Sequence, residues 1–349
     1  MDRSADFLGR GGAIIANMRD VAERAGLSIS TVSHVINNSR AVSDESRQRV
    51  LQAMEELDYK PNALARSLRM RKTNTLGMIV PDSANPFFAE VTRAIEDASF
   101  AQNYSLILCN SEGDLDKQGA YTNVLIENRV AGILFVAAGP STELVNDLDQ
   151  RRVPLVVIDR EVPGVGVDTV MTNHAQGGCL ATQHLIDLGH KRIACIAGNS
   201  EVSPSAERLT GFRQTLEKNG IRYDEQLVVK GDFQYESGYE ATTYLLALER
   251  PPTAVFACND LMAVGCISAA REFGYRVPDD LSVVGFDDVR LASFTNPPLT
   301  TVVQPKVEIG TIATKMLLER MSDLNSKPRF KRLDTELRIR RSTAAPRGR

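Results

Sequence analysis

Short runs of consecutive hydrophobic residues alternate with amphipathic stretches of helix length from Thr75 onward. Continuous apolar runs between helices are typical of parallel strands that are buried on both faces. The runs form two series, which are TLGMIV, YSLILC, GILFV and PLVVID, then RIACIAG, QLVVKG, TAVFAC and LSVVGF. A turn-rich stretch, EVPGVGVD, separates them near Val170 and Met171. We therefore predict an α/β body of two doubly wound parallel-sheet lobes with a cleft between them.

The part before Thr75 has a helical period instead. Asn17 is a good N-cap for a first helix that ends at Gly26, a residue suited to the positive φ of a C-cap. Ser28 is expected to cap a second helix, whose buried side comprises Val32, Val35 and Ile36. The exposed side would then carry Ile29, Ser30, Thr31, Ser33, His34 and Asn37. Two helices joined by a short turn, with short polar residues at the start of the second, suit insertion into a DNA major groove.

A third helix over residues 43–58 is predicted to close this domain and to end before Lys60-Pro61. Its predicted buried residues are Val50, Leu51, Met54 and Leu57. The next segment, NALARSLRMRK, contains Arg66, Arg69, Arg71 and Lys72 but no acidic residue. A basic helix with a protruding leucine, here Leu68, is typical of a wedge that enters the minor groove.

These patterns divide the chain into five parts. We predict a disordered extension over residues 1–17, a helix-turn-helix domain over 18–61 and a hinge helix over 62–72. Residues 73–171 and 303–324 are assigned to an N-terminal ligand-binding lobe. Residues 172–302 and 325–345 are assigned to a C-terminal lobe.

Charge supports a DNA-binding role for the first part. Residues 18–72 contain ten Lys and Arg against seven Asp and Glu, whereas the whole chain of 349 residues has 41 against 44. No apolar run approaches the roughly 20 residues that span a bilayer, and no signal-peptide core is evident, so we expect a cytoplasmic protein. Five scattered cysteines without a C-x-x-C pair indicate buried free thiols in a reducing compartment.

Motifs that would indicate an enzyme or a cofactor are absent from the sequence. No glycine-rich phosphate loop, G-x-S-x-G elbow or H-E-x-x-H pair occurs, and we expect no catalytic residue, metal or cofactor. The four histidines are far apart in the sequence. His34 lies in the second helix, and His174, His184 and His190 flank one body helix, where we expect surface or capping roles.

Polar and aromatic residues follow the predicted strands. In open parallel sheets ligands bind beyond the carboxyl ends of the strands. The residues at these ends are Asn85, Phe87, Phe88, Asp159, Arg160, Asn259, Asp287 and Gln304, and Phe233 in GDFQ adds an aromatic wall. Aromatic faces pack against the C–H face of a sugar ring, and Asp, Asn, Gln and Arg pair with its hydroxyls. Each residue could also serve as a helix cap or as part of the core.

The DVAERAGLSISTVSHVIN and PNALARSL motifs resemble the lactose/galactose repressor family, and the likeness covers nearly the whole chain. It implies a homodimer that binds double-stranded operator DNA, with two recognition helices in adjacent major grooves and hinge helices in the minor groove. By motif position, Ile29, Ser30, Thr31 and His34 would read bases, and Asn37 and Arg40 would lie near the DNA backbone. Leu68 would be the wedge, with Arg69 beside it.

The body resembles the periplasmic-binding-protein-like sensor of that family, and it is most similar to ribose-operon repressors. The likeness implies a small effector, ribose or a similar pentose, between the lobes. One position departs from the ribose pattern, since Ala206 stands where a contacting arginine is expected and Arg208 matches a neighbouring arginine. The purine-responsive branch shares the GDF and SHVIN motifs, so a purine is the alternative effector. Docking of a phosphoprotein corepressor is a further alternative.

We therefore predict a transcription repressor whose operator affinity is controlled by an effector between the lobes, and not an enzyme. Closure or rotation of the lobes would favour or melt the hinge helices. A sugar-binding module alone would not require residues 18–72. A sugar-acting α/β enzyme would require a nucleophile, a metal cluster or a phosphate loop.

Overall fold

The computed structural model describes residues 16–37, 40–59, 73–136, 141–162, 164–199 and 203–347. The chain forms two compact units, residues 1–72 and residues 73–349, which are described separately. The predicted hinge helix over 62–72, with Leu68 and Arg69, and nearly all of the predicted extension lie outside the described residues.

In the first unit, the described residues form three helices, α1 (Met18–Ala25), α2 (Ile29–Asn37) and α3 (Asp44–Glu56). The Asn17 side chain accepts a hydrogen bond from the backbone N–H of Arg19, and Gly26 ends α1 with φ 63°. The Ser28 hydroxyl accepts from the N–H of Thr31, 3.1 Å away, at the start of α2. Both caps satisfy backbone N–H groups that a helix leaves unpaired, so the predicted helix starts are confirmed.

The core of this unit contains Val21, Val32 and Val50, all fully buried. Two of our predictions about side-chain burial are wrong. Leu51 is 53% exposed, because it follows Val50 by one position and so lies off the stripe formed by Val50, Ala53 and Met54. Ser33 is buried rather than exposed, since the buried arc of α2 is wider than its apolar residues indicate.

The described part of the second unit forms two six-stranded sheets. The elements that build the first lobe are β1 (Thr75–Val80), α4 (Pro86–Phe100), β2 (Ser105–Asn110), α5 (Leu115–Glu127), β3 (Gly132–Phe135), α6 (Thr142–Gln150), β4 (Leu155–Ile158) and β5 (Asp168–Thr172). Its strand order is β11-β5-β4-β3-β1-β2, and every neighbouring pair is parallel.

The second lobe begins at α7 (His174–Asp187) and repeats the pattern. Its further elements are β6 (Ile193–Ala197), α8 (Ser203–Lys218), β7 (Val228–Lys230), α9 (Tyr235–Leu246), β8 (Ala254–Ala257), α10 (Asp260–Glu272), β9 (Ser282–Asp287) and β10 (Thr300–Val303). The order is β12-β10-β9-β8-β6-β7, parallel except where β12 pairs antiparallel with β10. The predicted fold of two doubly wound lobes is confirmed.

Three chain crossings connect the lobes. The chain passes to the second sheet at Asn173, returns at Gln304-Pro305 before α11 (Lys306–Ser322), and crosses again between β11 (Phe330–Leu333) and β12 (Glu336–Arg338). The assignment of residues 325–345 to the second lobe is therefore wrong for β11, which pairs with β5 in the first sheet. The sequence analysis missed β11 because its short, largely polar sequence has no apolar run; it forms one edge of the sheet, and three of its four residues are exposed.

A buried carboxylate connects the edge of the first lobe to α11. Asp168, on β5, is fully buried, and its two oxygens lie 2.8 Å from Nη2 of Arg320 and 2.9 Å from Nη2 of Arg329. It also accepts from the backbone N–H of Arg329 at 2.8 Å. One side chain therefore joins β5, α11 and the segment that leads into β11.

Asp168→Ala should lower the free energy of unfolding by about 3 kcal/mol, because it leaves the mostly buried guanidinium of Arg320 without its charged partner. Asp147→Ala is the control, since Asp147 pairs with Arg151 on the surface at 2.9 Å, and it should change the free energy by less than about 0.5 kcal/mol. Urea denaturation measures both values. Equal effects of the two substitutions would contradict this assignment.

Candidate functional site

Helix α2 presents a polar N-terminal surface in the first unit. Ile29, Ser30 and Arg40 are exposed, and Thr31 and His34 are half-buried. The Ser28 hydroxyl lies 2.7 Å from that of Ser30 and 2.8 Å from that of Thr31, so three hydroxyls form one hydrogen-bonded group. Asn37 belongs to α2, but its side chain, like Leu68 and Arg69, lies outside the described residues.

The second unit contains a cavity of about 450 Å³ between its lobes. Nine of the ten predicted ligand-binding residues line it, namely Asn85, Phe87, Phe88, Asp159, Arg160, Arg208, Phe233, Asn259 and Asp287. The tenth, Gln304, lies behind Asp287, and its Nε2 donates to Asp287 Oδ1 at 2.7 Å. Arg208 lines the cavity, whereas Ala206 does not.

Two asparagines combine a capping role with a place in the cavity wall. Asn85 is the N-cap of α4 and accepts from the N–H of Phe87. Asn259 is the N-cap of α10, and its Nδ2 also donates to the carbonyl of Phe233 at 2.8 Å. The helix-cap and site interpretations of these residues are therefore compatible, because each cap lies at the carboxyl end of a strand.

Four non-glycine residues of the cavity wall have positive φ. The values are 54° for Glu112, 59° for Asp159, 71° for Phe233 and 113° for Asp287. This region of backbone conformation is unfavourable for residues other than glycine, and non-glycine residues that adopt it are concentrated at functional sites. Phe233 also depends on a glycine opposite it, since a Cβ added to Gly198 would lie 2.0 Å from its ring.

A chain of buried side chains lies at the base of the cavity. His174 Nε2 is 2.9 Å from Asp159 Oδ1, and its Nδ1 accepts from Arg208 Nε at 3.3 Å. The Arg208 guanidinium carbon lies 3.8 Å from the centroid of the Phe286 ring, and Nη2 is 3.7 Å from Asp287 Oδ1. The chain therefore joins β4 of the first lobe to α8 and β9 of the second.

His174 is the functional candidate that our sequence analysis missed. We expected surface or capping roles for it and for His190, but both rings are buried. Asp159 and Arg208 are 15 and 34 residues away from His174, so no local sequence signal indicates their contact. Burial lowers the pKa of His174, which keeps the ring neutral near pH 7.

Burial also shifts the pKa of charged groups at the cavity. It raises the pKa of Asp287 to about 6, although Arg208 opposes the shift, and it lowers the pKa of Arg160 to about 10. The buried Nη1 of Arg160 has no hydrogen-bond partner in the described part of the chain. A buried donor without a partner is costly, so a ligand acceptor at this position would be stabilising.

Three residues that do line the cavity were also missed. Asp82 follows β1, and Asp232 and Gln234 flank Phe233 in the loop after β7. Gln234 Nε2 donates to Asp82 Oδ2 at 2.9 Å, which joins the two lobes at this cavity wall. The strand-end rule could have found Asp82. Among the described residues no cluster of three or more His, Cys, Asp or Glu side chains is arranged to bind a metal, and no helix is long and apolar enough to cross a membrane.

Comparison with known proteins agrees with both units. Residues 17–62 match the model for bacterial regulatory proteins of the lacI family, and residues 182–343 match the periplasmic binding protein-like domain. The chain is 43% identical to the HTH-type transcriptional repressor PurR of Photobacterium profundum, across 94% of this chain and 98% of that protein. It is also 43% identical to PurR of Erwinia tasmaniensis, across 95% and 97%. The chain belongs to the lacI family.

Solved structures of this family have the same fold. The lac repressor dimer bound to operator and an anti-inducer is 29% identical, with a TM-score of 0.86 over 95% of this chain and 99% of that one. A regulator from Enterococcus faecium with bound ribose is 33% identical, with a TM-score of 0.73 over 78% and 100%. This lacI-family chain is accordingly a DNA-binding transcription repressor and not an enzyme.

The family assignment from the sequence is confirmed, but the specific likeness to ribose-operon repressors is not supported. Eight curated relatives, 39–43% identical over at least 93% of this chain, carry the name PurR. The lacI-family motifs are shared by branches with different effectors, so they indicate the family more reliably than the ligand.

Asp287→Asn should change the pH dependence of stability. Because burial raises the pKa of Asp287 from 3.8 to about 6, its contribution to stability is complete below pH 4 and is lost as the pH rises through 6. Relative to the variant, the wild type should lose about 2.5 kcal/mol of unfolding free energy between pH 4 and pH 7. Urea denaturation across this range measures the difference. If the stability profiles of Asp287→Asn and the wild type run parallel between pH 4 and pH 7, this prediction is wrong. Asp116→Asn, at an exposed position, is the control, and its profile should run parallel to that of the wild type.

Proposed function

We propose that α2 reads operator bases through Ile29, Ser30, Thr31 and His34. The proposal is supported by the exposure of Ile29 and Ser30 and by the group of three hydroxyls at the start of α2. Hydroxyls can donate to or accept from base edges, and an apolar side chain can contact the thymine methyl group. Arg40, which is exposed, would contact phosphates together with Asn37, and the hinge residues Leu68 and Arg69 would act in the minor groove.

The repressor would act as a homodimer in the cytoplasm, on an operator of two half-sites. Support comes from the lac repressor, which binds its operator as a dimer. The first lobe also has an exposed apolar edge, since Ile107 and Leu108 of β2 are 37% and 43% exposed. Apolar residues on an exposed edge strand are a liability for a monomer, and a partner subunit would cover them.

Ser30→Ala should alter base preference at one position of each half-site, by about 1 to 3 kcal/mol of discrimination. Selection of bound duplexes from a random library measures the preference, and titration gives the number of chains per operator, expected to be two. Leu51→Ala, an exposed apolar position on α3, is the control. An unchanged preference in Ser30→Ala would refute base reading by this residue.

We further propose that the cavity binds an uncharged effector with several polar groups on a ring. The observation that carries this proposal is the charge of the lining, in which five acidic residues (Asp82, Glu112, Asp159, Asp232 and Asp287) outnumber Arg160 and Arg208. This balance disfavours a phosphorylated ligand. Phe88 and Phe233 supply apolar faces for a ring, while Asn85, Arg160 and Asn259 supply hydrogen-bonding groups at its edge.

A purine base is the first candidate, because the name of the PurR relatives points to purine response. A planar base would stack on an aromatic side chain and present donors and acceptors to Asp287 and Arg160. A pentose is the second candidate. It is favoured by the chemistry of the lining and by the ribose bound in the Enterococcus faecium regulator.

Effector binding would change the closure of the lobes about the three crossings and so change operator affinity. A coupling free energy of about 3 kcal/mol, the upper end of a typical range, corresponds to roughly 150-fold in operator affinity. An inducer and a corepressor would use the same cavity and differ only in which lobe arrangement they stabilise.

The test is a thermal-shift and calorimetric titration with hypoxanthine, guanine, D-ribose and ribose 5-phosphate. An effector at about 100 times its Kd should raise Tm by about 5 °C or more. Ribose 5-phosphate should bind at least about tenfold more weakly than the preferred neutral compound, because it adds negative charge to an acidic cavity. Stronger binding of the phosphate would refute the proposal. Binding of none of them would leave a phosphoprotein corepressor as the leading alternative.

Gly198→Ala should weaken binding of the preferred compound at least about tenfold, because the added Cβ displaces the Phe233 ring from the cavity wall. Gly119→Ala is the matched control. Gly119 lies in α5, and an added Cβ would have no neighbour within 4 Å, so this variant should bind normally. Calorimetry gives both Kd values, and equal Kd values would mean that Phe233 is not part of the site.

A further inference from the structure

His174 occupies the boundary between the lobes but does not line the cavity. It is the first residue of α7 and directly follows Asn173, where the chain first crosses between the sheets. Its ring is completely buried and lies 5.9 Å, between centroids, from the ring of Phe286. The two ring nitrogens face partners from different lobes, Asp159 and Arg208.

The contacts of His174 define its protonation state. A guanidinium has only donors, so Nδ1 of His174 must accept from Arg208, and Nε2 must carry the proton that it donates to Asp159. The neutral Nε2–H tautomer is therefore the one form that satisfies both partners. A protonated ring would direct an N–H toward the guanidinium.

The partners of His174 are themselves held in place. Arg208 Nη1 donates to the carbonyl of Cys258, and its guanidinium carbon lies 3.8 Å from the Phe286 ring centroid, which fixes the guanidinium in the second lobe. Asp159 follows β4 in the first lobe with φ 59°. The His174 ring therefore bridges two groups that have little freedom within their own lobes.

We infer that His174 is a positioning residue for effector binding. It sets the spacing between the carboxylate of Asp159 and the guanidinium of Arg208, one from each lobe, and so holds the cleft in the arrangement that accepts the ligand. This role rests on the proposed function of the cavity, because it assumes that Asp159 and Arg208 contact the effector. It does not depend on which compound binds.

Three substitutions separate the two hydrogen bonds. His174→Phe keeps an aromatic ring of similar shape but removes both bonds. His174→Asn keeps an acceptor near the position of Nδ1, facing Arg208, and His174→Gln keeps a donor near the position of Nε2, facing Asp159. His190→Phe is the matched control, since His190 is also buried and bonds Thr253 through Nδ1 and the Ala344 carbonyl through Nε2, all within the second lobe.

The first measurement uses the full-length protein without ligand. Hydrogen exchange of the backbone around Asp159 and around Arg208 reports separation of the lobes. We expect at least about tenfold faster exchange at both places in His174→Phe, an intermediate effect in His174→Asn and His174→Gln, and no change there in His190→Phe. If His174 only fills space, His174→Phe will exchange like the wild type, and the inference is overturned.

The second measurement is calorimetric titration with hypoxanthine and with D-ribose. For the probe that binds the wild type, Kd should rise about 10- to 100-fold in His174→Phe and by less in His174→Asn and His174→Gln. Kd should not change in His190→Phe, even if its Tm falls. Unchanged Kd in His174→Phe, or a change that follows Tm in both phenylalanine variants, would overturn the inference.

Failure of the two proposals can be told apart. Absence of binding of both probes to the wild type contradicts the proposed effector classes, and the hydrogen-exchange measurement then decides alone whether His174 sets the lobe spacing. ¹⁵N NMR of the His174 ring gives a further signature. A neutral Nε2–H tautomer supports the inference, and a protonated ring at pH 7 overturns it.

Discussion

The hydrogen bonds of His174 with Asp159 and Arg208 are the interaction on which the arrangement of the second unit depends. Each lobe has its own sheet and its own apolar core, although Val289 of the second lobe packs into the core of the first. Three chain crossings alone would leave the lobes free to move, so the polar contacts at the boundary decide how the cavity is shaped.

Burying these polar side chains costs free energy, so their arrangement depends on the groups that form hydrogen bonds or ion pairs with them. Asp287 and His174 are both buried, and burial disfavours the charged form of each. Arg208 offsets part of that cost for Asp287, since its guanidinium lies against the carboxylate and over Phe286. A ligand that supplies further hydrogen bonds would fill the cavity and would also stabilise the closed arrangement of the lobes relative to the open one. That is the physical requirement for an effector that shifts an equilibrium.

Further polar contacts also join the two lobes. Glu90 of α4 accepts from the N–H of Arg290 in the second lobe and lies 3.3 Å from Lys306, which follows the second crossing. Lys306 in turn donates to the carbonyls of Asp287 and Asp288. These contacts connect the loop that carries Asp287 to the helix whose N-terminus carries Asn85. Closure of the cavity and the position of α4 are therefore coupled through these polar contacts, which can break and reform with other partners when the lobes move.

Local rules applied to the sequence predict the helix caps of the first unit, two series of strands and most of the cavity wall, although β2 and β7 lie at sheet edges and are not buried on both faces as predicted. The rules are an N-cap before a helix, an apolar run in a strand and a polar residue after a strand, whereas Arg208, which lies within α8, follows from the family resemblance instead. Three features are visible only in the folded chain: β11 joins the first sheet, Leu51 is exposed, and His174 is buried between Asp159 and Arg208. These outcomes depend on which distant segments meet, and the burial energy that selects such contacts leaves no local pattern in the chain.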